Sequence, residues 1–380
     1  MYKVLKITNA AGIKKFVRFP GSHIFKKSDH WIPPLITEEI KRFDITKYDY
    51  YAYGKSKLFA AIDEKGKWGG RIACFINSKY IDKTKKHEGF FGFFDAIDNP
   101  EVVKVLFSAI TEEFRKNNIT DIIGPINFST NEEVGLLIDG FDINPTFMTN
   151  YSKPYYKDLL TGVGFQKLVD LYAYEWQSKC VFSDKFYRIV EVVKNRSTVK
   201  IRCFDKNNFQ NELDTLWPIY NESFKDVWGF TPLTKVEFTE LCNSFKLFAD
   251  FDIILIAELN SKVIGFCLML PDINILIKKI NGKLYPFGIF TLLTQKNKIK
   301  NLRLNVLGIL PEYRNLGVFA LFIDQMEKIV NKKGYQKAEL SVILESNIEM
   351  IRLMKSLDFK PTKTFRVYCN TVENLKAHTL

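Results

Sequence analysis

Leu304-Asn305-Val306-Leu307-Gly308-Ile309-Leu310-Pro311-Glu312-Tyr313-Arg314-Asn315-Leu316-Gly317 is the stretch that decides how this chain is read. An apolar run ends at Leu310, a proline interrupts it, and an amphipathic segment follows that closes near Gly334. The pattern predicts a strand, a tight turn and a helix start. Such a turn points several backbone N–H groups and the positive end of the helix dipole at one place, which suits a phosphate or pyrophosphate. Arg314 adds a permanent positive charge beside it.

Upstream of this stretch, Phe251–Ala257 and Val263–Leu270 are strand-like runs separated by Glu258-Leu259-Asn260-Ser261-Lys262, a hairpin turn by composition. Downstream, Phe319, Phe322, Ile323, Met326 and Val330 recur at helical spacing, and Asn331-Lys332-Lys333-Gly334 supplies a cationic stop. Ala338–Leu344 alternates as a strand, Asn347–Leu357 is helical, and Phe359–Tyr368 is a closing strand. The predicted order is β-β-β-α-β-α-β. Before it lie two helices, Trp217–Val227 and Thr234–Phe248, the second opened by a capping-box spacing at Thr234 and Glu237. They bracket Trp228-Gly229-Phe230-Thr231-Pro232, which reads either as packing over a core or as the wall of a substrate cleft.

Part of the plan recurs in the first half. Leu58–Ile62 and Gly70–Ile76 form a hairpin, Gly89–Phe94 a third strand, and Pro100 to about Asn117 a helix capped by Asn99 with Val103, Leu106, Phe107, Ile110 and Phe114 on one face. The spacing from Gly92 to Ile122 is close to that from Gly308 to Glu339, so the chain reads as two related halves. A strand Leu171–Trp176 closes the first, and the polar stretch Ser178–Asp184 links them, which sets domains at 1–180 and 181–380.

The chain's 380 residues suit two domains, and 46% hydrophobic content with 33 Phe and 17 Tyr supplies ample core. The net charge of +12 is dispersed, in groups such as Lys26-Lys27 and Lys278-Lys279, without the aromatic interleaving of nucleic-acid binding, so no nucleic-acid partner is expected. Six cysteines without a CxxC pair and four scattered histidines give no metal-ligand spacing, so no metal is expected. The amino terminus has no signal-peptide pattern and no apolar run reaches a membrane-spanning length, which makes the cytoplasm the expected compartment.

Residues 307–317, with Asn347 seven residues before Met354 and twelve before Phe359, resemble the strand, pyrophosphate turn and second motif of the GNAT superfamily of acyl-CoA-dependent N-acyltransferases. The resemblance covers roughly residues 200 to 370. Phe16–Pro20, Trp31–Leu35, Gly89–Phe94, Gly124–Ser129 and Trp228-Gly229-Phe230 further resemble bacterial proteins with a second GNAT-like half in front. The implied fold is α/β, a mixed, mainly antiparallel central sheet flanked by helices, in a tandem GNAT-like arrangement whose first half is degenerate. The implied cosubstrate is acetyl-CoA or a longer acyl-CoA. Its implied coenzyme A site is Leu307, Gly308, Ile309, Arg314, Asn315, Leu316, Gly317, Val318 and Asn347.

Two departures stand out: Phe319 replaces a small residue of the family turn, and Met354 replaces a tyrosine that protonates the leaving thiolate in the commoner arrangement. Tyr368 is then one candidate acid. Asn305, Ser341 and Glu339 are the polar candidates on the central strands, with Asp272 at the end of the hairpin strand, and Asn305 and Ser341 are taken as catalytic candidates. In the first half Asp95, Asp98 and Glu101 crowd the matching helix start and repel a pyrophosphate, so only the second half is expected to bind coenzyme A. The insertion Pro271–Lys300 carries apolar stretches between lysines and either packs between the halves, covers a hydrophobic acceptor, or touches an anionic membrane surface. The expected reaction is N-acyl transfer, by first reading acetyl transfer, to a primary amine. Long-chain transfer to a lipid-like amine, an aminoacyl-tRNA-dependent relative lacking its usual basic tract, and a non-catalytic binding scaffold are the alternatives.

Overall fold

The computed structural model describes residues 1–178 and 182–379. Its strands are β1 (Lys3–Ile7), β2 (Gly54–Ile62), β3 (Trp68–Asn77), β4 (Glu88–Ala96), β5 (Asp121–Gly124), β6 (Leu136–Asp139), β7 (Gln166–Gln177), β8 (Lys200–Cys203), β9 (Ile254–Leu259), β10 (Lys262–Pro271), β11 (Asn301–Ile309), β12 (Lys337–Leu344) and β13 (Pro361–Thr371). Two compact units interleave along the sequence: residues 1–172, 277–286 and 362–380 make the first, and 173–276 with 287–361 the second. The linker expected at Ser178–Asp184 falls partly outside the described residues, at 179–181.

In the first unit the strands neighbour one another in the order β1-β2-β3-β4-β5-β13-β7, with β6 also beside β13. Helix Pro100–Lys116 forms where the sequence predicts it, with the Asn99 side chain accepting the Glu101 N–H at 2.9 Å. Val103, Leu106, Phe107, Ile110 and Phe114 are all fully buried, each worth roughly 2 kcal/mol over exposure. They pack in one cluster with Phe91, Leu160, Phe165 and Tyr368. The strand expected to close the second half belongs here: β13 pairs antiparallel with β5, Tyr368 opposite Gly124. Its alternation explains the burial of Phe365 and Val367, but alternation does not say which sheet a strand joins.

The second unit orders its strands β12-β11-β10-β9-β8. The β9–β10 hairpin turns at Asn260 and Ser261, both at positive φ as a two-residue primed turn requires. Helix Lys235–Phe245 carries the predicted capping box, and helix Phe209–Phe224 extends upstream of its expected start. Phe230 of the aromatic loop is buried with Leu213, Leu216, Tyr220 and Phe266, so this part of the loop is core packing. A helix at Asp184–Arg196, capped by Ser183, was not anticipated because its composition is largely polar.

Candidate functional site

The site grows from an irregularity in β11. Against β10, Leu268 faces Val306 and Met269 faces Leu304, so Asn305 is an extra residue in the ladder, a β-bulge. On its other side β11 runs parallel to β12 from Asn301 opposite Lys337 to Leu304 opposite Leu340, and among the described residues no pairing of these two strands is found beyond that. Past the bulge the strands diverge. Residues 305–309 thus present an edge of main-chain N–H and C=O groups that an extended ligand can pair with, as an added strand does.

At the end of that edge comes the turn. The Leu310 N–H donates to the Ile264 carbonyl at 3.0 Å, Pro311–Leu316 winds as a 3₁₀ helix, and Gly317 adopts φ +71°, ψ 16° before helix Val318–Lys333. A Cβ at Gly317 would stand 2.5 Å from Val193 Cγ2, so both the left-handed backbone and the space demand glycine. No side chain caps this helix and no acidic residue lies in its first turn, which leaves its first N–H groups and its dipole for an anion. Arg314 turns its guanidinium to the protein, donating to the carbonyls of Ser223 at 2.9 Å and Ile309 at 3.4 Å. It braces the turn against the end of β11 and against helix Phe209–Phe224 while keeping positive charge nearby. Phe319 is half-buried, beside buried Val318.

The other expected residues divide. Leu307, Gly308 and Ile309 lie on the open stretch of β11, and Asn315 and Leu316 are exposed in the turn. Asn347 caps helix Ile348–Ser356, its Oδ1 accepting the Met350 N–H at 3.1 Å. Ser341 is buried one residue past the fork, accepting from Arg303 Nε at 3.0 Å and donating to Glu339 Oε1 at 2.6 Å. Arg303, also buried and opposite Glu339 across the parallel ladder, was missed by sequence reasoning. Its signal was a cation inside an apolar run two residues before the bulge. Tyr368 lies in the first unit's core, where burial raises its pKa. Met354 is fully buried in the second unit and lines an apolar cavity of about 40 Å³ with Met269, Met326, Leu340, Leu357 and Phe359 among others. A tyrosine there would bring its hydroxyl into apolar surroundings, a cost the thioether avoids.

The first unit carries the same fork and fills it. β4 and β5 pair in parallel only from Glu88 opposite Asp121 to Phe90 opposite Ile123. The chain then turns through Gly124 and Pro125, the Ile126 N–H donates to the Phe91 carbonyl at 2.7 Å, and Asn127 Oδ1 accepts the Phe93 N–H at 2.9 Å. A Cβ on Gly92 would lie 2.4 Å from the Ile126 carbonyl oxygen, so glycine is what admits this segment. Asp95, expected at the helix start, instead lies near the end of β4, where it is taken by Arg71 at 2.8 Å and Tyr156 at 3.1 Å. Nearby, Arg42 gathers Glu39, Glu132 and Glu133, and burial raises the Glu132 carboxyl to about 7.

Comparisons with known proteins agree with this geometry. The Acetyltransferase (GNAT) family matches residues 213–359, the segment that contains the fork, the turn and Asn347. The chain belongs to this family and is an acyltransferase, with an acyl-CoA thioester as donor and an amine as acceptor. It is 30% identical over 96% of its length to Bacterial ceramide synthase of Caulobacter vibrioides, covering 96% of that protein. To Protein YghO of Escherichia coli it is also 30% identical, over 95% of this chain and 93% of that one. Among solved structures, a tandem GNAT protein from the clavulanic acid biosynthesis pathway aligns over 98% of this chain and 99% of its own, at 8% identity and TM-score 0.55. A GCN5-related N-acetyltransferase from Sphaerobacter thermophilus aligns over 98% and 96%, at 12% identity and TM-score 0.53. At such identities these two speak for the tandem fold alone.

Proposed function

We propose that this acyltransferase moves a long-chain acyl group from coenzyme A onto the amine of a lipid-like acceptor, a long-chain amino alcohol of the kind that forms the amine half of a ceramide. The near full-length likeness to a protein named Bacterial ceramide synthase carries the choice of acceptor. In this reading the donor's pyrophosphate rests on the N–H groups of Asn315–Val318, with Arg314 holding the turn, and its pantetheine arm extends along Leu307, Gly308 and Ile309. Asn347, at the head of the next helix, flanks the arm. Only the second unit binds the donor, because Gly124–Asn127 occupies the corresponding fork of the first.

The thioester then sits near the bulge. The acceptor nitrogen attacks the thioester carbonyl, a C–N bond forms as the C–S bond breaks, and coenzyme A leaves as a thiolate. A main-chain N–H freed at the bulge donates to the developing oxyanion, the kind of preorganised donor that lowers such barriers most. Asn305 stands at the bulge itself to orient the carbonyl. Ser341, held between Arg303 and Glu339, gives the ammonium proton a path to the buried carboxylate. Tyr368 takes no part. With no tyrosine at Met354, the thiolate leaves without a dedicated acid.

Following free thiol release from acetyl- and palmitoyl-CoA, each with sphinganine and with a short amine, tests the reading. Release that requires both the palmitoyl donor and the long-chain amine is expected. Preference for acetyl-CoA with the short amine would return the choice to ordinary acetyl transfer.

A further inference from the structure

We infer that helix Gly288–Gln295 of the second unit docks this protein onto an anionic membrane surface. Phe287, Phe290 and Leu293 recur every three residues and form one stripe, and they are 78%, 62% and 43% exposed. Leu292 and Gly288 turn inward and anchor the helix. Two phenylalanines in water cost free energy that a monomeric protein avoids unless the patch meets something.

The surrounding charge says what that something is. From Phe287 to Pro311, all within the second unit, the chain has no aspartate or glutamate, but Lys296, Lys298 and Lys300 follow within five residues of the helix end, in a chain of net charge +12. Lys298 and Lys300 are exposed just past the helix. Aromatic and aliphatic residues on one face with lysines alongside make an interfacial helix, which lies in the plane of the headgroups and is drawn there by acidic lipid. A second copy would bring this positive segment against its own like, which disfavours self-association as the use of the stripe. Among the described residues no helix is long and apolar enough to cross a membrane, so the contact is a surface one.

Such docking does not depend on the acceptor proposed above, and its test uses no acyl-CoA. The full chain is floated with vesicles of phosphatidylcholine, alone and with phosphatidylglycerol. Binding to the acidic vesicles is expected, weakened by salt, and reduced at least about tenfold in F287S/F290S/L293S and in K296E/K298E/K300E. Circular dichroism and thermal unfolding of both variants should match the wild type, showing that they fold. Failure of the wild type to bind acidic vesicles, or equal binding by the serine variant, overturns the inference. So does a concentration-dependent dimer that the serine variant abolishes without any vesicle binding.

Discussion

Gly317→Ala probes the turn at the one residue where backbone and packing both constrain it. At φ +71° an alanine pays about 1–2 kcal/mol for the left-handed conformation. Its Cβ, placed 2.5 Å from Cγ2 and 3.0 Å from Cγ1 of Val193, adds an overpacking cost of about 1–3 kcal/mol or forces the turn away from helix Asp184–Arg196. Denaturant titration should show a loss of about 2–5 kcal/mol. Because a displaced turn no longer converges its N–H groups, acyl-CoA affinity by calorimetry should fall by about tenfold or more, equivalent to ~1.4 kcal/mol. Val193→Ala in the same chain removes the steric part and leaves the backbone part, so the double-mutant cycle should return a coupling of about 1 kcal/mol or more. Wild-type stability and affinity in Gly317→Ala, or strict additivity with Val193→Ala, would refute the reasoning.

Arg314→Ala should lower acyl-CoA affinity by about tenfold, and Arg314→Lys should not restore it, because a single ammonium does not bridge the Ser223 and Ile309 carbonyls as the planar fork does. Ser341→Ala leaves Arg303 and Glu339 without their shared hydroxyl; turnover is expected to drop at least about tenfold with KM for acyl-CoA little changed, measured by thiol release. Glu132, held to about 7 by burial against an unfolded value near 4.3, keeps in the folded state a proton that the unfolded chain releases. Its contribution to stability is therefore present below about pH 4 and is lost as pH rises through 7, and Tm measured between pH 5 and 8 should fall less steeply in Glu132→Gln.

Much of the second unit was legible because its signals are local. The hairpin turn at Asn260-Ser261, the capping box at Thr234 and the glycine after Arg314 each solve a backbone problem within a few residues, and each stands where its pattern predicts. What sequence did not reveal is long-range. Phe365 and Val367 announce a buried strand, yet nothing in their alternation selects β5 over β12 as the neighbour. Arg303 and Glu339 become a pair only through the register of the parallel ladder, and the bulge that frees Asn305 exists only in relation to β10. The filling of the first unit's fork by Ile126 and Asn127 is of the same kind: Gly92 was visible as a glycine in an aromatic strand, but the segment it admits lies more than thirty residues away. Helix Asp184–Arg196 was hidden by its polar composition, although Ser183 and Asp184 form a regular helix start.

Amide hydrogen exchange with and without palmitoyl-CoA tests most directly whether the open fork of the second unit is where the donor binds. Protection is expected at residues 305–309 of β11 and at 315–319 of the turn, with Glu88–Ala96 of β4 unchanged. Protection confined to β4, or none at the turn, would contradict it.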